Sequence, residues 1–282
     1  MKDLGQPSFR AKQLYEWLYL HHVGSYDEMT NLPQTLRVQL SADYPLFTPA
    51  VIDSQTSQDG TAKYVISYHD GARVETVAIP SSDGRLTVCC STQAGCAMGC
   101  TFCATGKEGF TRNLSAGEIV DQILIAQTRM GERVSNVVVM GQGEPFLNYE
   151  QTLNALHILN DEKLLNIGAR HSTLSTCGIL SGIDRLGTEP EQFTLAVSLH
   201  AAIQRTRDKI MPGVANYGLG KLKTVLLKYI ERTNRRATLE YAMMNRVNDN
   251  EEDLKALIEF CTGLLCHVNL IPLNEIEESE FS

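Results

Sequence analysis

The chain has 282 residues, 43% of them hydrophobic, and a formal net charge of −8. That is enough apolar material for one large core or a core with a small appendage, and the acidic balance argues against a surface that is basic overall. The start, MKDLGQPSFRAKQLYEWLYL, has no basic segment followed by an uninterrupted apolar run, and no stretch is long enough to cross a bilayer, so a soluble cytoplasmic protein is expected. In that compartment eight cysteines point to metal binding or catalysis rather than a disulfide framework.

In chain order, SFRAKQLYEWLYLH reads as a helix with Ser8 as its N-cap, and LPQTLRVQL as a second helix with Pro33 near its first turn. The polar segment SQTSQDG, residues 54–60, reads as a loop. AKYVISYHDGARVETVAIP reads as two strands turning at Asp70-Gly71. From Arg85 onward strands and helices alternate. The strands are RLTVCC, SNVVVMG, HSTLST, FTLAVSL, ATLEYAMM and HVNLIPL. SAGEIVDQILIAQ opens with a capping box, Ser115 and Glu118, and NYEQTLNALHIL repeats the device with Asn148 and Gln151. KLKTVLLKYIER and NEEDLKALIEFCTGLL are longer amphipathic helices. The alternation predicts a parallel sheet with right-handed crossovers, and six units suit an open barrel. Charge is unevenly spread. Residues 205–236 crowd Arg and Lys with few acids, a face whose RNA affinity would be salt-sensitive if it contacts phosphates, and acids collect between Glu251 and Glu280.

The segment STQAGCAMGCTFCATGKEGF follows the strand RLTVCC, at the strand end where parallel α/β folds place their chemistry. Cys96, Cys100 and Cys103 stand as C-x3-C-x2-C, with Gly95, Gly99 and Gly106 letting the loop bend around a bulky object. Zinc prefers a closed tetrahedral set and no nearby histidine completes one; an iron–sulfur cubane held by three thiolates leaves one iron open. A zinc site and three core cysteines stay as alternatives. The turn after SNVVVM carries Gly141, Gly143 and Glu144, the last suited to an ammonium group. Ser175, Ser198, His200 and Asn274 sit at the ends of other strands, so these polar residues converge on one pocket. The alternation of RVETVAI puts Glu75 on the face of Val77 and Ile79, where apolar neighbours would raise its pKa and suit it to act as a base; an edge-strand charge paired with Arg73 is the alternative. Cys89 and Cys90 point to opposite faces, and Cys177, Cys261 and Cys266 read as small buried hydrophobes.

The cysteine spacing, with Phe102 before the last cysteine, resembles the radical S-adenosylmethionine (SAM) superfamily. The resemblance implies that the open iron of a [4Fe-4S] cluster chelates SAM, and that an electron from the cluster cleaves the sulfonium to give a 5′-deoxyadenosyl radical. It also implies a partial (β/α)6 barrel, an α/β fold, here with a small N-terminal helical accessory domain and a β-hairpin. VETVAIP, GCAMGCTFCATG, GFTRNLSAGEIVDQI, MGQGEP, LSTCGI, LAVSLHA and HVNLIPLN together resemble the RlmN/Cfr family of RNA adenine methyltransferases from about Phe9 to the last residue, favouring the adenine-C2 branch over the C8 branch.

On that resemblance Cys96, Cys100 and Cys103 hold the cluster, and Gly143, Glu144, Ser175, Ser198, Leu199, His200 and Asn274 contact SAM. Glu75 takes the ring proton, and Cys89 resolves a covalent enzyme–RNA intermediate by forming a disulfide with a methyl-carrying cysteine. The implied substrates are the peptidyl-transferase-centre adenine of 23S rRNA and the adenine beside the tRNA anticodon. An external electron donor such as a flavodoxin, a monomer and no membrane are also implied. The expected divisions are 1–53, an RNA-binding accessory domain; 54–84, linker and hairpin; and 85–282, the barrel. The family's methyl-carrying cysteine lies past the sixth strand, and the sequence stops at NEIEESEFS before that segment; MPGVANYG also departs from the family's usual wording. The expectation is a fragment or a degraded relative that binds a cluster but does not complete methyl transfer. The rival readings are an RNA-binding relic and a zinc-stabilised binding module.

Overall fold

The computed structural model describes residues 1–274; the acidic run from Glu275 to Glu280 lies outside them. The N-terminal part folds on a small core of its own. Helices α1 (Phe9–Tyr19) and α2 (Gln34–Asp43) pack around Tyr26, Met29, Leu32, Leu36 and Leu40, with Trp17 and Leu18 against them. Ser8 precedes α1 but its own backbone is already helical and its side chain makes no capping bond, so the expected cap is not formed.

Three antiparallel strands follow: β1 (Ala50–Thr56), β2 (Ala62–Ser67) and β3 (Arg73–Pro80). The strand β1 takes in the first three residues, 54–56, of the segment read as a loop. It is an edge strand, exposed along nearly its whole length, and a strand wet on both faces carries no apolar alternation to betray it. The turn at Asp70-Gly71 stands as expected, with Gly71 at φ +83°.

Strand β4 (Leu86–Cys89) pairs antiparallel with β3 on one side and parallel with a later strand on the other. The cysteine segment is framed by a separate two-stranded sheet, β5 (Gln93–Gly95) and β6 (Phe110–Asn113), with the short helix α3 (Ala104–Glu108) between them. The rest is the expected alternation: α4 (Ala116–Met130), β7 (Val134–Val139), α5 (Tyr149–Asn160), β8 (Ser172–Thr176), α6 (Leu180–Leu186), β9 (Thr194–Ser198), α7 (Gln204–Ile210), α8 (Leu219–Thr233), β10 (Ala237–Met243), α9 (Glu251–Cys261) and β11 (Cys266–Pro272). The main sheet has the order β1-β2-β3-β4-β7-β8-β9-β10-β11, so β4 and the five later strands are six consecutive parallel neighbours, as in an open (β/α)6 barrel.

The sheet is bent. Flat, strands β7 and β11 would stand about 19 Å apart, yet Gly141 just past β7 and Ile271 of β11 line one cavity. The outer layer is set by α4, whose capping box is formed in full by Ser115 and Glu118. Its Ile119, Val120 and Ile123 are buried against the sheet. Its buried Gln122 accepts from Thr76 Oγ1 and from Ser91 N–H, both at 2.8 Å, and donates to the Ser91 carbonyl at 2.9 Å, tying β3 to the start of the cysteine segment. The second expected capping box does not form. Asn148 instead donates to the carbonyls of Thr92 (2.9 Å) and Leu114 (2.8 Å), and Gln151 accepts from Ala116 N–H at 3.0 Å. At the far edge, Leu270 of β11 is 55% exposed. Among the described residues no helix is long and apolar enough to cross a membrane.

Candidate active site

The cysteine segment is clamped from several sides before it reaches any ligand. Cys96 N–H donates to the Gly109 carbonyl (2.8 Å), Thr101 N–H to Ile210 (3.0 Å), Gly213 N–H to Met98 (3.0 Å) and Cys103 N–H to Cys100 (3.1 Å). Gly95 sits at φ +74°, and a Cβ there would come within 1.9 Å of the Gly109 carbonyl oxygen, so only glycine closes this loop. A Cβ on Gly106 would meet the Cys100 backbone at 2.9 Å, so the first turn of α3 can pack directly under the thiols.

Cys96, Cys100 and Cys103 line one side of a cavity of about 270 Å³. The other side comes from the strand ends: Gly143 and Glu144 after β7, Ser175 of β8, Ser198 of β9 and His200 just beyond it. The cavity therefore gathers all three cysteines and five of the seven residues expected to contact SAM. Leu199 is not among the lining: it is fully buried, with its N–H bonded to the Glu240 carbonyl at 3.0 Å. Asn274 is exposed at the end of the described residues and does not line the cavity either.

Glu75 and Cys89 stand off from the cavity. The register Val77↔Cys89 and Cys89↔Val138 puts Cys89 on the inner face of the sheet, and Glu75, two residues from Val77, shares that face. Cys90 points the other way, fully buried against the helix layer. Burial pushes the Cys89 thiol up to about 11. The apolar setting expected for Glu75 is not there, because the inner face is open to solvent at this edge of the sheet. Its side chain is 47% exposed and pairs with Lys63 across β2–β3 at 2.9 Å, not with Arg73.

Three residues of this site escaped the sequence reading. Cys177, read as a core residue, is half-buried and lines the cavity beside the triad. Its N–H donates to Glu144 Oε2 at 2.7 Å, while Phe146 N–H donates to Oε1 at 3.0 Å. Burial raises the Glu144 carboxyl, and these two donors oppose the rise. Glu240, buried on the inner face of β10, accepts from Asn269 at 2.8 Å and also lines the cavity; the signal was one carboxylate inside the apolar run ATLEYAMM. Arg207 is only 2% exposed, and its Nη2 donates to the carbonyls of Cys177 (2.7 Å) and Ser198 (3.1 Å).

The electrostatics of Cys100, Cys177 and Arg207 are linked. A hydrogen bond from Cys177 pulls the Cys100 thiol below its usual range, with Arg207 adding to the pull against burial. The same bond and burial hold Cys177 well above its usual range, so Cys177 keeps its proton and donates to the Cys100 sulfur. His200 is driven down to about 3 by burial and by Arg207, and stays neutral. Its Nδ1 accepts from Ala242 N–H at 3.0 Å, which leaves the proton on Nε2. Its backbone lies at φ +51°, and its carbonyl accepts from buried Asn248 at 2.6 Å.

The comparisons with known proteins agree with this geometry. The Radical SAM superfamily domain matches residues 90–261, and the ribosomal RNA large subunit methyltransferase N-terminal domain matches residues 1–44. A relative from Clostridium perfringens (strain SM101 / Type A), named "Probable dual-specificity RNA methyltransferase RlmN", is 45% identical over the whole chain and 81% of its own length. A Staphylococcus aureus (strain Newman) protein of the same name is 46% identical over 99% of this chain and 77% of its own.

The chain belongs to the RlmN family of radical SAM RNA methyltransferases. A solved radical SAM methyltransferase from Sphaerobacter thermophilus superimposes with a TM-score of 0.93 at 44% identity, covering 100% of this chain and 83% of that one. The family's cofactors are a [4Fe-4S] cluster and SAM, and the residues present fit both. Three thiols ring a cavity, yet among the described residues no three His, Cys, Asp or Glu side chains converge on a point that could hold one ion. Three cysteines spaced around one cavity match the thiolate ligation of an iron–sulfur cluster. Arg207 makes no ion pair among the described residues, and its Nε has no hydrogen-bond partner. A buried, uncompensated guanidinium is costly, and an anionic thiolate-bound group beside it offsets that cost.

Proposed function

We propose that this enzyme methylates C2 of adenine in two RNAs, at the peptidyl-transferase centre of 23S rRNA and beside the anticodon of tRNA. The reading is supported by the ordered RlmN motifs and by relatives whose name declares dual specificity. The observation that carries it is Cys89 and Glu75 sharing the inner face of adjacent strands, the same sheet face whose Ser175 and Ser198 line the cavity.

In this reading Cys96, Cys100 and Cys103 hold the cluster, which when bound supplies the electron that cleaves the SAM sulfonium. Glu144, fixed by two backbone N–H groups, presents its remaining lone pairs to the SAM ammonium group. Gly143, Ser175, Ser198 and the Nε2–H of His200 orient the rest of the cosubstrate, with Leu199 and Asn274 contributing backbone and end-of-strand contacts. Glu75 accepts the ring proton, for which it must leave Lys63, and Cys89 frees the product by forming a disulfide with the methyl-carrying cysteine, whose bond to the base carbon breaks as the sulfurs join. The half-buried Cys89 thiol, pushed up by desolvation, stays protonated and so does not react before the substrate is seated. Residues 1–53 serve as the RNA-binding accessory part, 54–84 connect it, and the span 85–282, of which 275–282 lie outside the described residues, carries the catalytic barrel. The enzyme works as a cytoplasmic monomer, reduced by an external donor such as a flavodoxin.

Mass spectrometry of nucleosides from 23S rRNA and tRNA treated with the enzyme identifies the position directly. With the family's methyl-carrying cysteine segment supplied, the expected product is 2-methyladenosine from both RNAs; the 282 residues alone are expected to bind the cluster and give no methylated product. Finding 8-methyladenosine, or a methyl group on another base, contradicts the proposal.

A further inference from the structure

A second cavity, of about 490 Å³, lies at the opposite end of the strands from the cysteines. It is lined by Thr194 and Thr238, near the starts of β9 and β10, whereas Ser198 and Glu240 of the same strands face the cysteines. Four residues of strand separate Thr194 from Ser198, about 13 Å.

Three arginines line this cavity, Arg170, Arg235 and Arg236, and no carboxylate does. Arg235 is held in place: its Nη1 donates to the Phe193 carbonyl at 2.7 Å and its guanidinium lies over the Tyr229 ring at 5.4 Å. Arg170 is anchored through Nε to Gln192 at 2.7 Å, and Arg236 is exposed, with no ion pair among the described residues. The nearest acid along the chain, Glu191, has its carboxylate 3.4 Å from His157 instead. Tyr229, 1% exposed, also lines the cavity, and its hydroxyl has no hydrogen-bond partner. The neighbouring Thr233 hydroxyl donates to the Tyr229 carbonyl at 2.7 Å and lies close to the phenol. Buried hydroxyls are seldom left unpaired, and guanidinium forks match phosphate oxygens geometrically. In a chain of net charge −8, a cavity with three cations and no anion is a local reversal.

We infer that this cavity is a second ligand site, which takes a phosphate group between the three arginines with the Tyr229 hydroxyl as an added donor. The phosphate belongs either to an RNA backbone or to a free phosphorylated small molecule. The inference does not depend on which base is methylated.

The test uses the whole chain, the double variant Arg170→Gln with Arg236→Gln, and Tyr229→Phe. The arginine changes are at exposed positions, and the phenol change removes one hydroxyl and leaves the ring in place, so all should melt close to the wild type. In calorimetry with pyrophosphate, the double variant is expected to lose at least about tenfold in affinity and Tyr229→Phe several-fold. In a salt titration with a short single-stranded RNA, an RNA-backbone phosphate would lower the slope of log affinity against log salt by about 1–2 in the double variant. An unchanged RNA slope with weakened pyrophosphate binding assigns the site to a small molecule. Wild type and variants alike in both titrations would overturn the inference.

Discussion

Cys100→Ala is expected to yield folded but colourless protein after anaerobic reconstitution, with iron falling from about four per chain to a trace. Cys177→Ala is expected to keep its iron. The contrast matters because four cysteines, not three, line the cavity. A fourth thiolate would close the iron that SAM needs. Cys177, however, is held protonated by its hydrogen bond to Cys100 and by burial, and serves as a donor to that sulfur. Alanine at 177 preserves the backbone N–H that Glu144 uses and the carbonyl that Arg207 uses. What it removes is one hydrogen bond to a thiolate, worth about 1 kcal/mol, which favours the oxidised cluster by roughly 50 mV. Iron analysis and a redox titration of the two variants separate these roles. Equal iron loss in both would make Cys177 a ligand.

Asn248→Ala is expected to destabilise the protein by about 3–5 kcal/mol, and to weaken SAM binding at least about tenfold in whatever stays folded. Asn248 is 2% exposed and uses its whole amide: Oδ1 accepts from Met244 N–H at 2.7 Å, and Nδ2 donates to the carbonyls of His200 (2.6 Å) and Ala242 (2.7 Å). Its own carbonyl accepts from Tyr241 at 2.8 Å. Alanine strands three buried backbone groups, and the left-handed backbone of His200 loses its brace. Asn248→Asp should fare no better, since it sets a carboxylate against two carbonyls. Urea unfolding with unchanged m-value, together with equilibrium dialysis of SAM, reads both effects. A loss below about 1 kcal/mol would mean that the His200 turn holds itself.

The parts of this enzyme that were legible in its sequence are those governed by local rules. The parallel strands β7 to β10 showed as apolar runs because most of their residues are buried, β11 carried the same apolar run though it lies exposed at the edge, and the cap of α4 was spelled by Ser115 and Glu118. The cysteine triplet and the strand-end residues Glu144, Ser175, Ser198 and His200 fell on one cavity because strands of a parallel sheet all end on the same side. What escaped depends on partners far along the chain. Asn148 looks like a cap, but the carbonyls of Thr92 and Leu114 claim its amide. Glu75 alternates with apolar residues, but strand periodicity does not say whether a face meets core or water. Cys177 and Arg207 carry no local signature: one had the composition of a core residue and the other sat in a basic run, and only folding sets them beside Cys100.

Catalysis by this enzyme rests on a cluster held at three corners in a cavity that also takes SAM. Electron paramagnetic resonance of the dithionite-reduced enzyme, recorded with and without SAM, tests this most directly. The predicted result is a [4Fe-4S] signal whose g-values shift on SAM addition and stay put when methionine-free adenosine is added instead. A spectrum that is indifferent to SAM at saturating concentration would contradict it.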